Sequence, residues 1–475
     1  MNLSVLVKRL QDIMWHDAGV SGDAQRIEQI VWMLFLKLYD SKEEQWELYD
    51  DNYISIIPEP YRWRNWAIDK KDGKALTGDN LTNFIAQLFM TLKELDVNET
   101  TKKRQLIVKE VFTDLNNYMK DGVLIRQAVN VLNEIDLTNF QTKHAFNEIY
   151  ETILKDLQSA GKYGEFYTPR ALTEFVSKMV NPIIGEKVAD FACGTGGFLI
   201  SALNNMKDKV DDIKSNEVLQ KSFYGVEKKS LPYLLCTTNL LLHDIDEPEI
   251  LHDNSLEKNV RDYGEHDKFD VILMNPPFGG TEKKSVQQNF PNELKSAETA
   301  DLFMIEIMYR LKSKGRAGVI LPDGFLNGHG NKAKIREKLI KEFNLHTIVR
   351  LPNSVFKPYA TVATNILFFD NTNPTNKIWY YEHKIPSSLK SYSKTNPIQF
   401  EEFKELIKWW NSRTENDQAW CVDIKDLDFE YNLDIKNPNK QDEVISYTIE
   451  EIINIIEKNQ NDINDIITEI KEELL

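Results

Sequence analysis

The sequence predicts an α/β protein: a helical N-terminal domain, then a doubly wound, mostly parallel sheet, and finally a helical C-terminal tail. In residues 1–150, apolar residues recur at helical spacing and strand-like alternation is missing. From about residue 150, short apolar segments alternate with helical stretches, which is typical of parallel strands joined by crossover helices. The polar chain after residue 385 ends in a heptad pattern. These changes predict domains at residues 1–150, 151–385 and 386–475.

The N-terminal domain begins with an amphipathic segment in which Leu3, Leu6 and Leu10 lie on one helical face. A second helical segment follows SGD at residues 21–23, which is a helix start signal. No residues here have the spacing of a catalytic motif. We therefore interpret residues 1–150 as a domain for packing or for binding a partner.

Six apolar segments are candidate strands of the predicted sheet. They are residues 187–191, 222–227, 270–275, 317–322, 346–351 and 365–370. Helical stretches separate them, including one that begins at Asp301 and ends before Gly315. Ligands of such sheets bind at the carboxyl ends of the strands. The unusual residues of this chain follow the first three candidate strands, where a ligand site is expected.

The C-terminal tail has residues at alternating spacings of three and four, which is a coiled-coil pattern. The seam consists of Ile449, Ile452, Ile456, Asn459, Ile463, Ile466 and Ile470. Thr448 and Glu451 form a capping-box start. The tail is either a helix packed on its own domain or a coiled coil that binds a partner. The regular spacing, the polar Asn459 and the terminal position favour the partner.

The composition predicts a cytoplasmic protein. The 475 residues contain no apolar run of the roughly 20 residues that a membrane span needs, and the N-terminus lacks the features of a signal peptide. Three scattered cysteines are too few for a disulfide framework or a zinc site, and no metal is expected. From charge alone, a net −16 favours an acidic enzyme that never contacts DNA. If the protein acts on nucleic acid, a basic partner is expected to contribute much of the binding.

A glycine-rich turn follows the first candidate strand, in VADFACGTGGF (188–198). The strand ends at Asp190, and the turn consists of Gly194, Thr195, Gly196 and Gly197. Glycines let the backbone approach a ligand closely and adopt φ values that other residues avoid. The spacing G-x-G-G differs from the dinucleotide motif G-x-G-x-x-G, so the turn favours a non-phosphorylated nucleoside over a pyrophosphate.

The second candidate strand ends in Glu227, within FYGVEKKS. An acid at this position can accept hydrogen bonds from ribose hydroxyls. The alternative is a surface carboxylate beside Lys228 and Lys229. The glycine turn that comes before it in the chain favours the ribose interpretation.

The third candidate strand ends in LMNPPFGG, residues 273–280. Proline has no N–H, so Pro276 and Pro277 present carbonyl acceptors without competing donors, and Asn275 adds a side-chain acceptor. Two acceptors that converge on one point suit the two hydrogens of an amino group. Phe278 adds an apolar face for a planar ring. A simple Pro-Pro turn would need neither the asparagine nor the aromatic ring, so the motif predicts a planar, amino-bearing substrate.

The motifs DFACGTGGF, YGVEKKS and NPPF, in this order and spacing, resemble the amino-methyltransferases of DNA that depend on S-adenosylmethionine (AdoMet). GEFYTPR (164–170) precedes the glycine turn, an order similar to that of the adenine-N6 group. The helical N-terminal domain, GEFYTP, NPPFGG and GRAGVILPDGFL (315–326) resemble more narrowly the modification subunit of a type I restriction–modification system. The resemblance covers residues 1 to about 370 well and the tail loosely. NPPF alone is shared with glutamine-N5 protein methyltransferases, whereas the motifs together are specific.

The resemblance implies an AdoMet-methyltransferase sheet and assigns residues to the cofactor by position. The methionine part of AdoMet is expected beside Gly164, Glu165, Phe166, Tyr167, Thr168 and Pro169. Its floor is expected at Gly194, Thr195, Gly196 and Gly197, and its ribose at Glu227; Asp190 is also expected to bind the cofactor. Asn254, in HDNSL (252–256), takes the place where the family often has an aspartate against the adenine; Asp253 precedes it, and either residue could make the contact. Phe356 resembles a second wall for the target base.

The resemblance implies methyl transfer from AdoMet to N6 of adenine in DNA, the reaction of an adenine-specific DNA methyltransferase. Asn275 and Pro276 would accept hydrogen bonds from the amine and hold it in line with the sulfonium methyl, while Pro277 adds rigidity. The base must leave the duplex, and Phe278 would stack on it. A cytosine-C5 mechanism is not expected, because it needs a cysteine nucleophile that usually follows a proline, and none of the three cysteines does.

The resemblance also predicts the partners of this chain. A stand-alone adenine methyltransferase carries its own sequence-reading domain, which the acidic chain after Asp370 does not resemble. We therefore expect a specificity subunit to choose the DNA site, in a complex of two modification subunits with one specificity subunit, to which a restriction subunit adds cleavage. The alternatives are a protein-glutamine methyltransferase, expected to be shorter and without the helical domain, and a non-catalytic scaffold, which the intact motifs disfavour.

Overall fold

The structure is a computed structural model. It describes residues 3–69, 72–98, 101–135, 150–154, 167–358 and 360–439, together with positions 452–454, 456–457, 459–460 and 463. Within these ranges the predicted helical N-terminal domain and the mostly parallel sheet are both present. Among the helices of the described residues, none combines the length and the hydropathy that a membrane span needs.

The N-terminal helices pack on α2 and on one another. They are α1 (Leu3–Trp15), α2 (Asp23–Tyr49), α3 (Trp63–Trp66), α4 (Gly78–Lys93), α5 (Lys103–Thr113) and α6 (Gly122–Asn133). Leu6 and Leu10 of α1 are buried, as their helical spacing predicts. Residues 29–36 of α2 are all buried, because other elements cover this helix on every side.

Nine strands of the described chain form one sheet in the order β3-β2-β1-β4-β5-β7-β6-β8-β9. They are β1 (Val188–Asp190), β2 (Phe223–Glu227), β3 (Glu249–His252), β4 (Phe269–Met274), β5 (Leu311–Pro322), β6 (Asn344–Leu351), β7 (Thr364–Asp370), β8 (Lys377–Glu382) and β9 (Ala419–Asp423). Strand β7 runs antiparallel to β5 and β6, and β9 antiparallel to β8; the other neighbours are parallel. The strand order reverses between β1 and β4, where a crevice is expected at the carboxyl ends.

Helices cover both faces of the sheet. They are α7 (Arg170–Val180), α8 (Gly197–Lys207), α9 (Ile213–Gln220), α10 (Ser230–Leu242), α11 (Lys284–Gln287), α12 (Thr299–Arg310), α13 (Asp323–Asn327), α14 (Asn331–Glu342) and α15 (Lys404–Asn411). Helices α7, α8, α10 and α15 share one apolar core with the N-terminal domain. Helices α12 and α14 bury the opposite face.

All six candidate strands are present, but the sequence interpretation missed β3, β8 and β9. Strand β9 pairs with β8, so the sheet continues past residue 385, where the predicted methyltransferase domain ended. The predicted helix from Asp301 is wrong at its end: it stops at Arg310 and β5 begins at Leu311. The polar start of β5 has no strand pattern. It belongs to the strand because it pairs with neighbouring segments, as in the bond from Lys314 N to Asn371 O at 2.8 Å, although Lys314 itself has a left-handed φ of 64°.

Three of the seven positions of the predicted heptad seam, Ile449, Ile466 and Ile470, lie outside the described residues, as do Thr448 and Glu451. The seam positions that are described are Ile452, Ile456, Asn459 and Ile463. The isoleucines among them are 44–56% exposed. Side chains exposed to this degree agree better with a seam that binds a partner than with a helix packed on its own domain. That the tail binds a partner stays a prediction.

A buried cation joins the N-terminal domain to the sheet domain. Lys42 of α2 donates to the carboxylates of Asp244 at 2.7 Å and Asp246 at 2.9 Å, both just after α10. Tyr233 of α10 donates to Glu110 of α5 at 2.9 Å. Helix α10 is therefore held from the N-terminal side, which matters because the same helix supports the glycine turn.

Candidate cofactor and base site

A cavity of about 390 Å³ opens at the carboxyl ends of β1, β2 and β4. Its lining includes the predicted residues Thr168, Asp190, Gly194, Thr195, Gly197, Glu227, Asn254, Asn275 and Pro277. Three motifs that lie far apart in the sequence thus meet in one space, at the edge of the sheet where they were expected. The roles assigned to the individual residues stay predictions.

The glycine turn (residues 194–197) needs glycine for its conformation and for its close packing. Gly194 and Gly196 have left-handed φ values of 53° and 79°. A Cβ atom on Gly196 would lie 2.9 Å from Sγ of Cys236 in α10. The turn is fixed from the same helix, because Asn239 donates to the carbonyl of Thr195 at 3.0 Å. The backbone of the turn therefore stays close to the cavity.

Glu227 points back to the glycine turn and is 5% exposed. Its Oε2 accepts from Gly194 N at 3.0 Å, and its Oε1 accepts from Lys229 N at 2.7 Å. A carboxylate oxygen can accept more than one hydrogen bond, so these backbone bonds do not by themselves prevent Glu227 from accepting a ligand hydroxyl. The alternative of an exposed surface carboxylate does not describe this buried residue.

Asp190 lies at the end of β1 and is 2% exposed. Burial and, less strongly, the charge of Glu227 raise the pKa of Asp190 to about 8, although the bond from Ala192 N lowers it. Asp190 is therefore mostly protonated at neutral pH. A protonated carboxyl group has one O–H to donate, and this one lines the cavity.

Raising the pH is expected to destabilise the protein through Asp190, and Asp190→Asn is expected to remove this effect. The folded pKa of about 8 exceeds the ordinary 3.8, so between these values the folded state binds the proton more tightly. Stability therefore falls as pH rises, by about 2–3 kcal/mol between pH 6 and pH 9 for this one group. Thermal unfolding of both proteins across this range measures the difference. Parallel curves of Tm against pH would contradict the raised pKa.

Asn275 presents an unsatisfied acceptor at the wall of the cavity. Its Nδ2 donates to Oγ1 of Thr168 at 3.0 Å, which fixes the orientation of the amide. Its Oδ1 is buried and makes no hydrogen bond within the described part of the chain. A buried polar atom without a partner costs free energy, so this oxygen indicates a donor that the protein itself does not provide.

Phe278, the last residue of NPPF, is in contact with Phe356. Their ring centroids are 5.8 Å apart and the planes are perpendicular. Phe356 is 4% exposed, whereas Phe278 is half-buried. The structure therefore brings the two predicted walls together, but in edge-to-face contact rather than as parallel plates. Pro276 is buried, whereas Pro277 is partly exposed and lines the cavity.

In the GEFYTPR segment, Gly164, Glu165 and Phe166 lie outside the described residues. Tyr167 is buried, Thr168 lines the cavity and Pro169 caps α7.

Arg170 follows Pro169 in this segment. The sequence analysis did not identify it as a residue that supports the glycine turn. It bonds the Glu151 carboxylate at 2.6–2.9 Å. A Cβ atom on Gly197 would lie 2.4 Å from Nη1 of Arg170. The signal for this contact was that Arg170 is the last residue of the GEFYTPR motif.

Asp253, Asn254 and Ser255 follow β3 and all line the cavity. Asp253 N donates to the carbonyl of Glu227 at 3.1 Å, which ties this segment to β2. The side chain of Asn254 caps the following turn by accepting from Leu256 N. Both candidates for the adenine contact are therefore in place, and their roles stay predictions. Ser255 was missed because serine in a polar segment has no distinctive pattern.

The fold and the cavity together define the class of the protein. A doubly wound sheet with an antiparallel β7, a glycine turn without dinucleotide spacing and an acid on β2 is the arrangement of an AdoMet-dependent methyltransferase. The acceptor motif after β4 predicts that an amino group receives the methyl, and this role stays a prediction.

Comparisons with known proteins agree with this class. The family model described as N-6 DNA Methylase matches residues 141–446, and the model of the HsdM N-terminal domain matches residues 3–135. The methylase subunit of the type I restriction enzyme EcoEI from Escherichia coli is 50% identical, over 99% of this chain and 97% of that protein. The chain therefore belongs to the N-6 DNA methylase family, among the methylase subunits of type I restriction enzymes.

Two solved structures support the same family. A modification subunit of a type I restriction enzyme from Vibrio vulnificus is 40% identical, with a TM-score of 0.82 over 92% of this chain and 96% of that chain. A structure described as showing complex assembly and conformational transition of a type I restriction–modification system is 35% identical, with a TM-score of 0.83 over 99% and 98%. The resemblance drawn from the motifs is confirmed.

Proposed function

We propose that this chain transfers a methyl group from AdoMet to N6 of adenine in DNA, at sites that a separate specificity subunit selects. The observation that carries the proposal is the buried Oδ1 of Asn275, an acceptor without a partner in the described chain. It belongs to the same cavity as the glycine turn and Glu227. A nucleoside cofactor and an amino group would therefore meet in one enclosed space.

The residues of the cavity fit AdoMet. The left-handed Gly194 and Gly196 keep the backbone close to a ligand, and Glu227 can accept from the two ribose hydroxyls. Asp253 or Asn254 faces the adenine end, and Thr168 the methionine end. AdoMet supplies a methyl group on a positively charged sulfur, which is already a strong methyl donor.

Asn275 and Pro276 prepare the amine for attack. The N6 lone pair of adenine is delocalised into the ring, so the amine is a poor nucleophile. Hydrogen bonds from N6–H to Oδ1 of Asn275 and to the carbonyl of Pro276 favour a pyramidal nitrogen and free this lone pair. They also hold the nitrogen in line with the methyl group, and such positioning can contribute much of the acceleration. Thr168 supports this role because it orients the Asn275 amide.

The target base has to leave the duplex to reach this site. Phe278 offers the face on which the base stacks, and we assign Phe356 as the second wall. Because Phe356 now meets Phe278 edge-on, we expect its ring to turn or shift when a base enters.

The partners follow from charge and from the family. With a net charge of −16 the chain is poorly suited to hold DNA by itself. We infer a cytoplasmic complex of two copies of this chain with one specificity subunit, which a restriction subunit joins for cleavage. The exposed isoleucines of the tail are our candidate contact with the specificity subunit.

The proposal is tested by measuring labelled methyl transfer to DNA by the chain alone and with its co-expressed specificity subunit. We expect transfer to depend on the partner and the digested DNA to contain N6-methyladenine. Methyl transfer to cytosine or to a protein would overturn the substrate assignment. Full sequence-specific activity of the chain alone would overturn the role of the partner.

A further inference from the structure

A buried ion pair lies behind one end of the cofactor cavity. Glu306 and Arg310 of α12 join at 3.0 Å, and their side chains are 1% and 4% exposed. Removing two charges from water costs about as much as their attraction returns, and apolar residues of similar size are often at least as stable. Stability alone therefore gives little reason for a charged pair at this place, and its contacts indicate another role.

Arg310 packs against the end of β1. Its guanidinium carbon lies 4.2 Å from the ring centroid of Phe191 and 4.3 Å from that of Tyr263. Phe269 and Tyr224 surround it at 5.0 Å and 5.3 Å. Phe191 directly follows Asp190 and lines the cavity. Cation–π contacts of this kind hold an aromatic ring in place, so Arg310 supports one wall of the cavity.

Glu306 holds the segment that follows β3. Its Oε2 accepts from Oγ of Ser255 at 3.1 Å, and its Oε1 lies 3.3 Å from the hydroxyl of Tyr263. The Ser255 hydroxyl also lies 3.2 Å from the carbonyl of Phe191. Ser255 lines the cavity beside Asn254. The ion pair therefore ties the segment after β3 to the end of β1.

Helix α12 also reaches the cavity directly. Phe303, one turn before Glu306, lines the same space as Phe191 and Ser255. One helix thus presents an apolar side chain to the ligand and places a charged pair behind the two other wall residues. This end of the cavity is where the adenine of the cofactor is expected, because Asn254 lies there.

We propose that Glu306 and Arg310 are positioning residues for the adenine end of AdoMet, acting through Ser255 and Phe191. The inference rests on the proposed function, since it names AdoMet as the ligand. Their task is to set the distance between the two walls that enclose the purine ring. They do not touch the reacting amine, so they should govern cofactor affinity rather than the rate of the bound complex.

The experiment is AdoMet titration by calorimetry on the full chain, with Glu306→Gln and Ser255→Ala as single variants and in combination. Glu306→Gln removes the carboxylate: the bond with Arg310 loses its charge-assisted part, and an amide N–H aimed at Ser255 ends the donation by that hydroxyl and makes it accept instead. We therefore expect the Kd to rise about tenfold or more, the effect of about one lost hydrogen bond. The double variant should lose little more AdoMet affinity than Glu306→Gln alone, because both changes break the same contact between Ser255 and Glu306. With the specificity subunit, kcat at saturating AdoMet should stay within about threefold of wild type.

A purely structural role of the pair needs a separate control. Glu306→Leu combined with Arg310→Met replaces the pair by apolar side chains and is expected to keep or raise the Tm. If the pair serves only stability, this variant binds AdoMet like the wild type, and the proposal is overturned. If the pair positions the walls, affinity stays weakened although the protein is stable. Failure of the wild type to bind AdoMet would instead overturn the proposed function itself.

Discussion

Replacing Asn275 by alanine is expected to lower methyl transfer to DNA by about 10²–10³-fold while AdoMet binding changes little. The alanine variant loses the Oδ1 acceptor, which makes no bond within the described chain and is therefore available to an amino group. It leaves the glycine turn and Glu227 untouched. The measurement is the single-turnover rate of labelled methyl transfer in the complex with the specificity subunit, together with calorimetric AdoMet affinity.

Asn275→Asp is the matched control for this experiment. A carboxylate keeps an acceptor at the same place, and the Thr168 hydroxyl can donate to the other oxygen, since a hydroxyl both donates and accepts. The aspartate variant should therefore keep more activity than the alanine variant. A nearly normal rate for Asn275→Ala would remove the assigned role of this side chain. An equal loss in both variants would indicate that the amide, rather than an acceptor oxygen, is needed.

Glu227→Gln is expected to weaken AdoMet binding by about 100-fold, the second large effect. Both carboxylate oxygens accept from backbone N–H groups, of Gly194 and of Lys229. A glutamine must point its NH₂ at one of these donors, which loses a charge-assisted bond and leaves a buried donor unpaired. The same change removes one acceptor for the ribose. Isothermal titration of AdoMet into the full chain measures the loss.

Glu249→Gln is a suitable control for the charge itself. Glu249 lies at the start of β3, and its carboxylate pairs at 3.6 Å with Lys103 of α5. This variant changes the net charge by the same amount, and its affinity for AdoMet should stay within about twofold of wild type, as expected for a surface pair. Wild-type affinity in Glu227→Gln would contradict the ribose assignment. A drop that is matched by Glu249→Gln would show a general effect of charge.

The six strands found from sequence are those whose apolar runs are buried between helices. The sequence analysis did not predict strands β3 and β9, because they are short and lie at the two edges of the sheet, where fewer residues need to be apolar. The sequence analysis missed the start of β5 because its residues are polar and it joins the strand only through pairing with neighbouring segments. Edge strands and polar paired segments become strands because of the strands with which they pair. The local sequence pattern does not show this pairing.

The fold class, the family and the chemical types of the site residues could all be predicted from the amino-acid sequence. Glycine spacing, an acid at a strand end and NPPF are local signals, because each depends on the covalent character of a few adjacent residues. The folded structure was needed to see that Thr168 orients the Asn275 amide and that Glu227 accepts a hydrogen bond from the glycine turn. It also placed Glu306 and Arg310 behind Ser255 and Phe191. These contacts join residues far apart in the chain, and their distances exist only once the sheet and its helices have packed.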